Sequence, residues 1–210
     1  MKSKLLLYGG KFEAKLIISI LGLENFEYTV FDNKLKKKFF KGKYHFINSE
    51  SELNENISSK NFDYFFICIG DNLIRKKVSN LKILRNLKSI NVFDKKNTIL
   101  HYSKIGIGNL IYPGCNIDYF VNIGNFNTIN RSTTITHDVV IGNYNFFGPN
   151  VTILGSVKIG QNVFIGAGSV IEAGVNICDN VIIGANSFVN KNIDLEGMYF
   201  GTPMRFYEKK

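Results

Sequence analysis

The sequence predicts a small α/β domain over residues 1–98, a parallel β-helix of six-residue repeats over residues 99–194, and a C-terminal segment over residues 195–210. Strand-like and helix-like segments alternate in the first part. In the second part a large apolar residue recurs at every sixth position, from Ile99 to Val189, and fourteen of these sixteen residues are Ile. A period of six fits neither a helix nor a single strand, so it indicates a coil that repeats as a unit.

The repeat also predicts the cross-section of the coil. Three flat faces of six residues close a triangular coil of eighteen, and sixteen repeats make about five coils, stacked roughly 4.8 Å apart. The residue directly after each large apolar position is Gly, Asn or Asp in ten of the sixteen repeats. We expect a positive φ there, because these residue types tolerate sharp corners. A second inward-facing column lies four residues after each large apolar residue. Its members are mostly small or β-branched: Ser103, Cys115, Val121, Thr133, Val139, Val151, Val157, Val163, Ser169, Val175, Val181 and Ser187.

The first part is predicted to form a small Rossmann-like parallel sheet. Strands are predicted at 4–8, 28–31, 62–69 and 89–93, with helices at 12–21, where Phe12, Leu16 and Ile20 share a face, and at 71–87, where Asp71 is the N-cap. Ligands bind outside the carboxyl ends of such strands, so the loops at 8–13, 32–33 and 70–75 form a candidate nucleotide pocket. The Gly9-Gly10 pair alone also fits an ordinary tight turn.

Charge is distributed unevenly along the chain. The formal net charge is +9, and residues 1–98 hold all of the excess, with 19 Lys and Arg against 10 Asp and Glu. Three interpretations fit this basic half. It could bind an anionic substrate such as a nucleotide diphosphate, it could bind a nucleic acid, or its charge could serve only solubility. The densest lysine run, from Lys34 to Tyr44, is interleaved with aromatic residues but has no RNA-binding signature, so we interpret it as a solvated loop and expect no nucleic-acid partner.

Hydropathy and cysteine usage indicate a cytoplasmic protein without membrane insertion. The apolar run near the N-terminus is too short for a signal peptide, and no segment reaches eighteen apolar residues. Three cysteines, Cys68, Cys115 and Cys178, are odd in number and lie in apolar strand-like contexts. They favour small core residues over a disulfide framework or a zinc site.

Several stretches resemble the hexapeptide-repeat bacterial sugar acyltransferases. They are IGNYNFFGPNVTILGSVKIGQNVFIGAGSVI with THDVVIG before it, the closing GMYFGTPMR, and in the first domain VFDN and FFICIGDNLIRKKV. The nearest branch contains sialic acid O-acetyltransferases and N-acetyltransferases of nucleotide-linked amino sugars of the bacillosamine and perosamine type. The resemblance implies a left-handed β-helix, a homotrimer with active sites between subunits, and acetyl-CoA as donor.

His137 is the candidate catalytic residue of the repeat. It lies two residues after Ile135, outside both inward columns, and Gly155 follows one coil of eighteen residues later, directly over it. Acetyl transfer needs a base for the attacking group and an acid for the leaving thiolate, and an imidazole supplies both. Asp138 is placed to orient the ring, and the Gly155 N–H to stabilise an oxyanion. From the repeat alone, a polar surface histidine at a coil corner is an equal alternative.

The resemblance assigns further residues. It implies that His137 is the base and that Asn130 assists it. Phe146 replaces a donor-contacting His of some relatives and packs on the pantetheine arm instead. The remaining donor-side candidates are Gly155, Ala167, Ala185 and Arg205, and the substrate-side candidates are Gly9, Gly10, Asp32, Asn33, Gly70, Asn72 and Arg75. Phe12-Glu13 departs from the Gly-His ending that the family shows in its glycine-rich loop.

These features predict an acetyl-CoA-dependent N-acetyltransferase of a nucleotide-linked amino sugar in bacterial surface-glycan synthesis, such as that of lipopolysaccharide. O-acetylation of sialic acid or a related sugar is one alternative, and a non-catalytic hexapeptide scaffold is another. A zinc-dependent carbonic anhydrase on the same helix needs three gathered histidines, and the chain has only His45, His101 and His137. The expected cofactor set is therefore acetyl-CoA with no metal.

Overall fold

The computed structural model describes residues 2–10, 12–35 and 44–207. The chain divides into two compact units, Met1–Val92 and Phe93–Lys210. Most of the lysine run discussed above, residues 36–43, lies outside the described residues. Within the described part of the chain, no helix is both long and apolar enough to span a membrane.

The first unit is a five-stranded parallel sheet with helices. Its strands are β1 (Ser3–Tyr8), β2 (Phe26–Phe31), β3 (His45–Ile47), β4 (Tyr64–Ile67) and β5 (Lys88–Ser89), in the order β3-β2-β1-β4-β5. Its helices are α1 (Phe12–Leu21), α2 (Glu50–Ser58) and α3 (Asn72–Ser79), followed by a 3₁₀ turn at Lys82–Leu84. Buried apolar side chains from β1, β2 and β4 form the core, because a parallel sheet is covered on both faces.

Three details of this unit differ from the sequence prediction. Helix α1 has the predicted bounds, but it buries Ala14, Ile17 and Ile18, and Phe12 is 63% exposed. Helix α3 has the predicted N-cap, since the Ile74 N–H donates to Asp71 Oδ1 at 2.9 Å. It ends at Ser79 rather than near residue 87, because the backbone of Leu81 has an extended conformation that a helix cannot contain. Strand β3 and helix α2 were not predicted, since α2 buries a single side chain and lacks an apolar period.

The second unit is a triangular prism of parallel strands, which we call the prism. Strand β6 (Val92–Phe93) lies at the boundary of the two units. Sixteen short strands then follow: β7 (Thr98–Ile99), β8 (Lys104–Ile105), β9 (Leu110–Ile111), β10 (Asn116–Ile117), β11 (Asn122–Ile123), β12 (Thr128–Ile129), β13 (Thr134–Ile135), β14 (Val140–Ile141), β15 (Phe146–Phe147), β16 (Thr152–Ile153), β17 (Lys158–Ile159), β18 (Phe164–Ile165), β19 (Val170–Ile171), β20 (Asn176–Ile177), β21 (Val181–Ile183) and β22 (Phe188–Val189).

Every third strand pairs in parallel, which gives three sheets. The first sheet contains β7, β10, β13, β16, β19 and β22, and the second contains β8, β11, β14, β17 and β20. The third contains β6, β9, β12, β15, β18 and β21, followed by β23 (Gly197–Phe200) and the antiparallel β24 (Arg205–Tyr207). Paired residues are eighteen apart, as in Ile117 with Ile135. The predicted triangular coil is therefore confirmed.

The glycines after the large apolar residues have a different role from the one predicted. Positive φ occurs three residues after the large apolar position, as at Asp138 (φ 60°) and Ser156 (φ 61°), and not directly after it. A Cβ on Gly142 would lie 2.5 Å from the Gly160 carbonyl oxygen, and one on Gly124 would lie 2.6 Å from the Gly142 carbonyl oxygen. Glycine is required there because the next coil approaches too closely for a side chain. These glycines follow only the second and third sheets.

An asparagine ladder inside the prism was not predicted. Asn109, Asn127 and Asn145 are eighteen residues apart and fully buried. The N–H of Asn145 donates to Asn127 Oδ1 at 2.8 Å, and the N–H of Val163 donates to Asn145 Oδ1 at 2.7 Å. Asn127 Nδ2 donates in turn to the Gly142 carbonyl at 3.0 Å. Each side chain thus satisfies backbone groups of the coil above it. The eighteen-residue spacing was the available signal in the sequence.

Replacing one rung of the ladder tests this role. We expect Asn127→Val to lower the free energy of unfolding by about 2–3 kcal/mol, because it leaves a buried N–H and a buried carbonyl without partners. Urea unfolding measures the change. Asn192→Ala is the matched control, since Asn192 Oδ1 accepts the N–H of Asn176 in the same way but at an exposed position. We expect a change within about 0.5 kcal/mol there; equal losses for the two variants would show that burial does not matter.

Candidate active site

His137 lies at the prism corner that follows the first sheet, two residues after β13 ends. Its side chain is 62% exposed, and its Nδ1 is 2.8 Å from Asp138 Oδ2. The backbone is held by both neighbouring coils, since the Asp138 N–H donates to the Tyr119 carbonyl and the His137 carbonyl accepts from the Ser156 N–H. With Nδ1 held by the carboxylate, the neutral ring keeps an Nε2 lone pair for a proton.

Gly155 lies against the imidazole, as the eighteen-residue coil predicted. A Cβ built on Gly155 would come within 2.6 Å of His137 Cε1 and 2.8 Å of its Nε2. The ring therefore occupies the space that any other residue at this position would fill. Asp138 and Gly155 together fix where Nε2 points.

Substituting Gly155 tests this placement. We expect Gly155→Ala to lower kcat by about 100-fold, because the new methyl group displaces the imidazole by about 1 Å or more. Steady-state kinetics measure the loss, and the melting temperature should hardly change, since the neighbouring ring is exposed. Ala173→Ser, one coil further along the same corner, is the control for a small added group. Unchanged kcat in Gly155→Ala would show that the packing of ring on glycine is irrelevant to activity.

The N–H of Gly155, a residue buried beside the His137 ring, has no hydrogen-bond acceptor among the described residues. At two positions of the corner after the second sheet, a side chain of the next coil accepts the corresponding N–H: Asn143 Oδ1 accepts that of Asn125 at 2.7 Å, and Asp179 Oδ1 accepts that of Gln161 at 2.8 Å. Above Gly155 the next coil carries Ala173, which has no side-chain oxygen. A donor of this kind stabilises a developing oxyanion.

The other donor-side candidates lie at a second corner. Asn130 follows β12 of the third sheet, where its Oδ1 accepts the Arg131 N–H at 2.9 Å. Ala167 and Ala185 follow strands of the same sheet in later coils. A single chain therefore places His137 and Gly155 at one corner, and Asn130, Ala167 and Ala185 at the preceding one.

Phe146 and Arg205 also belong to the third sheet. The Phe146 ring in β15 stacks on the Phe164 ring in β18, with centroids 5.1 Å apart and planes 4° apart. Arg205 begins β24 and is exposed. Both side chains therefore lie on the outside of the prism, on the sheet that ends in the closing hairpin.

The three predicted loops of the first unit meet at a cleft of about 460 Å³. Gly9, Gly10, Asp32, Asn33 and Gly70 all line it. The Asp32 carboxylate organises the cleft, since Oδ2 accepts the Gly10 N–H and Oδ1 accepts the Lys34 N–H, both at 2.9 Å. Asn33 Nδ2 donates to Glu50 Oε1 at 3.2 Å.

Asn72 and Arg75 do not line this cleft but support its wall. Arg75 is 2% exposed, and its Nη1 donates to the carbonyls of Ile69 and Gly70, both at 2.9 Å. Its Nη2 donates to Asn72 Oδ1 at 2.8 Å. The guanidinium thus fixes the loop that contains Gly70. Sequence reasoning placed these residues near the right loop, but their orientation depends on burial.

Burial and carboxylates raise the pKa values of several groups near this cleft. Burial, with smaller contributions from Glu50 and Asp32, raises the pKa of Tyr8. Burial, reinforced by Glu13, raises the pKa of the Cys68 thiol well above its ordinary value. In the prism, burial raises the pKa of Cys115 to about 11. Both thiols stay protonated at neutral pH. Glu13 lines the cleft although it was noted in the sequence only as a departure from the family pattern.

Two family models match the chain. Residues 4–82 match the PglD N-terminal domain, and residues 120–155 and 156–191 match the bacterial transferase hexapeptide repeats. The chain thus combines a PglD-type N-terminal domain with the hexapeptide repeats of bacterial transferases, in agreement with the resemblance noted in the sequence. Its prism is the left-handed parallel β-helix typical of these repeats, so the predicted fold class is confirmed. A search of curated proteins found no match.

Several solved structures share this fold along nearly the whole chain. The acetyltransferase domain of PglB from Neisseria gonorrhoeae is 19% identical, with a TM-score of 0.88, covering 98% of this chain and 100% of that one. A perosamine N-acetyltransferase variant from Caulobacter crescentus, in complex with CoA and GDP-perosamine, is 20% identical, with a TM-score of 0.86 and coverage of 99% and 98%. WeeI from Acinetobacter baumannii is 23% identical, with a TM-score of 0.83 and coverage of 98% and 100%.

Among the described residues, no three His, Cys, Asp or Glu side chains are grouped closely enough to hold a metal ion.

Proposed function

We propose that this acyltransferase is an acetyl-CoA-dependent N-acetyltransferase that acylates the amino group of a nucleotide-linked amino sugar. The observation that carries the proposal is the corner at His137, where an oriented imidazole and an unoccupied backbone N–H lie side by side. Proteins of the same fold support the substrate class. The PglB domain has been solved with acetyl-CoA, and the perosamine N-acetyltransferase with CoA and GDP-perosamine.

The mechanism is sequential and forms no acyl-enzyme. The sugar amine attacks the thioester carbon, a C–N bond forms, and His137 Nε2 takes a proton from the nitrogen. The Gly155 N–H stabilises the oxyanion of the tetrahedral intermediate. When the intermediate collapses, the C–S bond breaks and the imidazolium returns the proton to the CoA thiolate. Asp138 holds the ring in the required tautomer and stabilises its charged form.

Two corners of the prism carry donor-side candidates, and this supports a homotrimer in which neighbouring chains complete each site. The corner of His137 and Gly155 in one subunit would face the corner of Asn130, Ala167 and Ala185 in the next. Exposed apolar side chains on the outside of the prism, at Val140, Phe164 and Ile182, are consistent with contact between copies.

The cleft of the first unit supports a nucleotide as the carrier of the acceptor. Its walls combine the backbone of Gly9, Gly10 and Gly70 with the amino-terminal turns of α1 and α3. Free N–H groups at helix N-termini favour phosphate. We propose bacterial surface-glycan synthesis in the cytoplasm as the setting, since nucleotide-linked amino sugars are its activated building blocks.

A matched pair of acceptors tests the proposal. CoA release is followed with a thiol reagent for a nucleotide-linked amino sugar and for its congener with a hydroxyl in place of the amine, with free sialic acid as a third acceptor. We expect turnover with the amine and none with the other two. Turnover with the hydroxyl congener or sialic acid would assign O-acetylation instead. Absence of acetyl-CoA binding by calorimetry would indicate a scaffold.

A further inference from the structure

Three aromatic side chains, Tyr102, Tyr119 and Phe120, form what we call the aromatic patch. They lie at the same prism corner as His137, in the two preceding coils: Tyr119 is one coil before His137, Phe120 is one coil before Asp138, and Tyr102 is one coil before Phe120. The Tyr119 carbonyl accepts the Asp138 N–H at 3.2 Å, so the backbone of the patch is bonded to the residue that orients the candidate base.

The rings of the patch are stacked yet exposed. The Tyr102 and Phe120 centroids are 5.5 Å apart with planes 16° apart, and the Tyr119 ring lies 6.4 Å from that of Phe120. The exposed fractions are 74% for Tyr102, 46% for Tyr119 and 53% for Phe120. Three adjacent exposed aromatic side chains form an apolar surface of the kind that marks a binding site.

The backbone beneath two of these rings is strained. Tyr102 and Phe120 have φ values of 65° and 61°, in the left-handed region that bulky residues rarely adopt. Asn occupies the equivalent position at other corners, as at Asn150 and Asn180, where it tolerates this conformation. Phe126 and Tyr144 share this conformation and stack in the same way at the corner after the second sheet, so the strain accompanies aromatic residues at both corners, and it is the position beside His137 that distinguishes the patch.

The position of His137 indicates what the patch binds. On its C-terminal side the ring meets Gly155, whose N–H suits the thioester oxygen of the donor. The attacking atom has to lie within hydrogen-bond reach of Nε2, so the rest of the acceptor extends over the N-terminal side, where Tyr119 and Phe120 lie. Aromatic faces suit the C–H face of a sugar ring and attract a protonated amine, and tyrosine hydroxyls bond to sugar hydroxyls.

We propose that the aromatic patch is the platform on which the acceptor sugar rests, with Tyr119 and Phe120 as specificity-determining residues. This inference rests on the proposed function and adds to it the residues that hold the sugar ring. The platform holds the amine beside Nε2 while the donor occupies the Gly155 side.

Variants that preserve the corner test the platform. Phe120→Asn and Tyr102→Asn each place a residue that tolerates positive φ at a strained position, so we expect unchanged or higher melting temperatures. The matched control is Tyr144→Asn. Tyr144 also has a positive φ, 59°, and stacks on Phe126 with centroids 5.5 Å apart, but it lies at the corner after the second sheet. The same aromatic-to-Asn change is thus made away from the patch.

Calorimetric titration without acetyl-CoA measures binding apart from turnover, with GDP-perosamine and other nucleotide-linked amino sugars as probes. We expect Phe120→Asn and Tyr102→Asn to weaken the Kd of the acceptor about tenfold, with Tyr144→Asn and the Kd of acetyl-CoA unchanged. Weakened binding supports the platform even if the wild type transfers no acetyl group, in which case only the proposed function fails.

Three results would overturn the platform. The first is an unchanged acceptor Kd in both patch variants of an active enzyme. The second is dissociation of the oligomer in Phe120→Asn by light scattering, which would make the patch a subunit contact. The third is failure of the wild type to bind any member of the acceptor panel, which overturns both proposals.

Discussion

His137→Ala is expected to lower kcat by about 10²- to 10⁴-fold, the range that a positioned general base contributes. Without the imidazole, the attacking amine loses its positioned base, and the thiolate leaves without a positioned acid. The binding of acetyl-CoA should persist, because the Gly155 N–H and the neighbouring small residues are unchanged. CoA release under saturating substrates measures the turnover, and calorimetry measures the binding.

His45→Ala is the control for this experiment. His45 is exposed in β3 of the first unit and does not line the cleft. We expect wild-type turnover in that variant. Wild-type turnover in His137→Ala would remove the imidazole from the mechanism and leave the corner as a surface feature of the prism.

Gly142→Ala is expected to destabilise the fold by about 3 kcal/mol or more, the second large effect predicted here. The new Cβ would lie 2.5 Å from the Gly160 carbonyl oxygen and 3.2 Å from the Gln161 nitrogen. Both are backbone atoms of the next coil, so relief requires that the coils separate and that the hydrogen bonds between successive coils lengthen. Denaturant unfolding measures the loss.

Gly174→Ala separates this steric role from the conformational one. Gly174 has a φ of +75°, but a Cβ there would meet nothing within 4 Å. We expect a cost of about 1–2 kcal/mol, from the left-handed backbone alone. If Gly142→Ala cost no more than Gly174→Ala, the close approach of successive coils would not be what selects glycine after the large apolar residues.

The period of six predicts much of the fold, because each coil repeats the same environment. Ile135 and Ile153 face the same core, and the eighteen-residue coil alone places Gly155 over His137. The position of the positive φ was misplaced by two residues. The reason is that Gly, Asn and Asp are frequent directly after the large apolar residues, and this frequency alone does not show whether they are selected for a positive φ or for a small side chain.

Other features were hidden because they depend on burial or on pairing between distant segments. Asn127 looks like a surface polar residue until the neighbouring coils supply its partners. In the sequence, Arg75 resembles a ligand-binding cation, but in the structure its guanidinium donates to the carbonyls of Ile69 and Gly70. Which corner of one subunit meets which corner of the next is a property of the assembly, and no periodicity within one chain encodes it.

The most direct test of the central claim is the identity of the product. The purified protein is incubated with acetyl-CoA labelled at the acetyl carbonyl and with nucleotide-linked amino sugars, and the label is followed by NMR. We predict that the labelled carbonyl appears as an amide on the sugar nitrogen, at a rate that His137→Ala reduces by at least about 100-fold. Unlabelled sugar in every reaction, or label recovered as an ester on a hydroxyl, would contradict it.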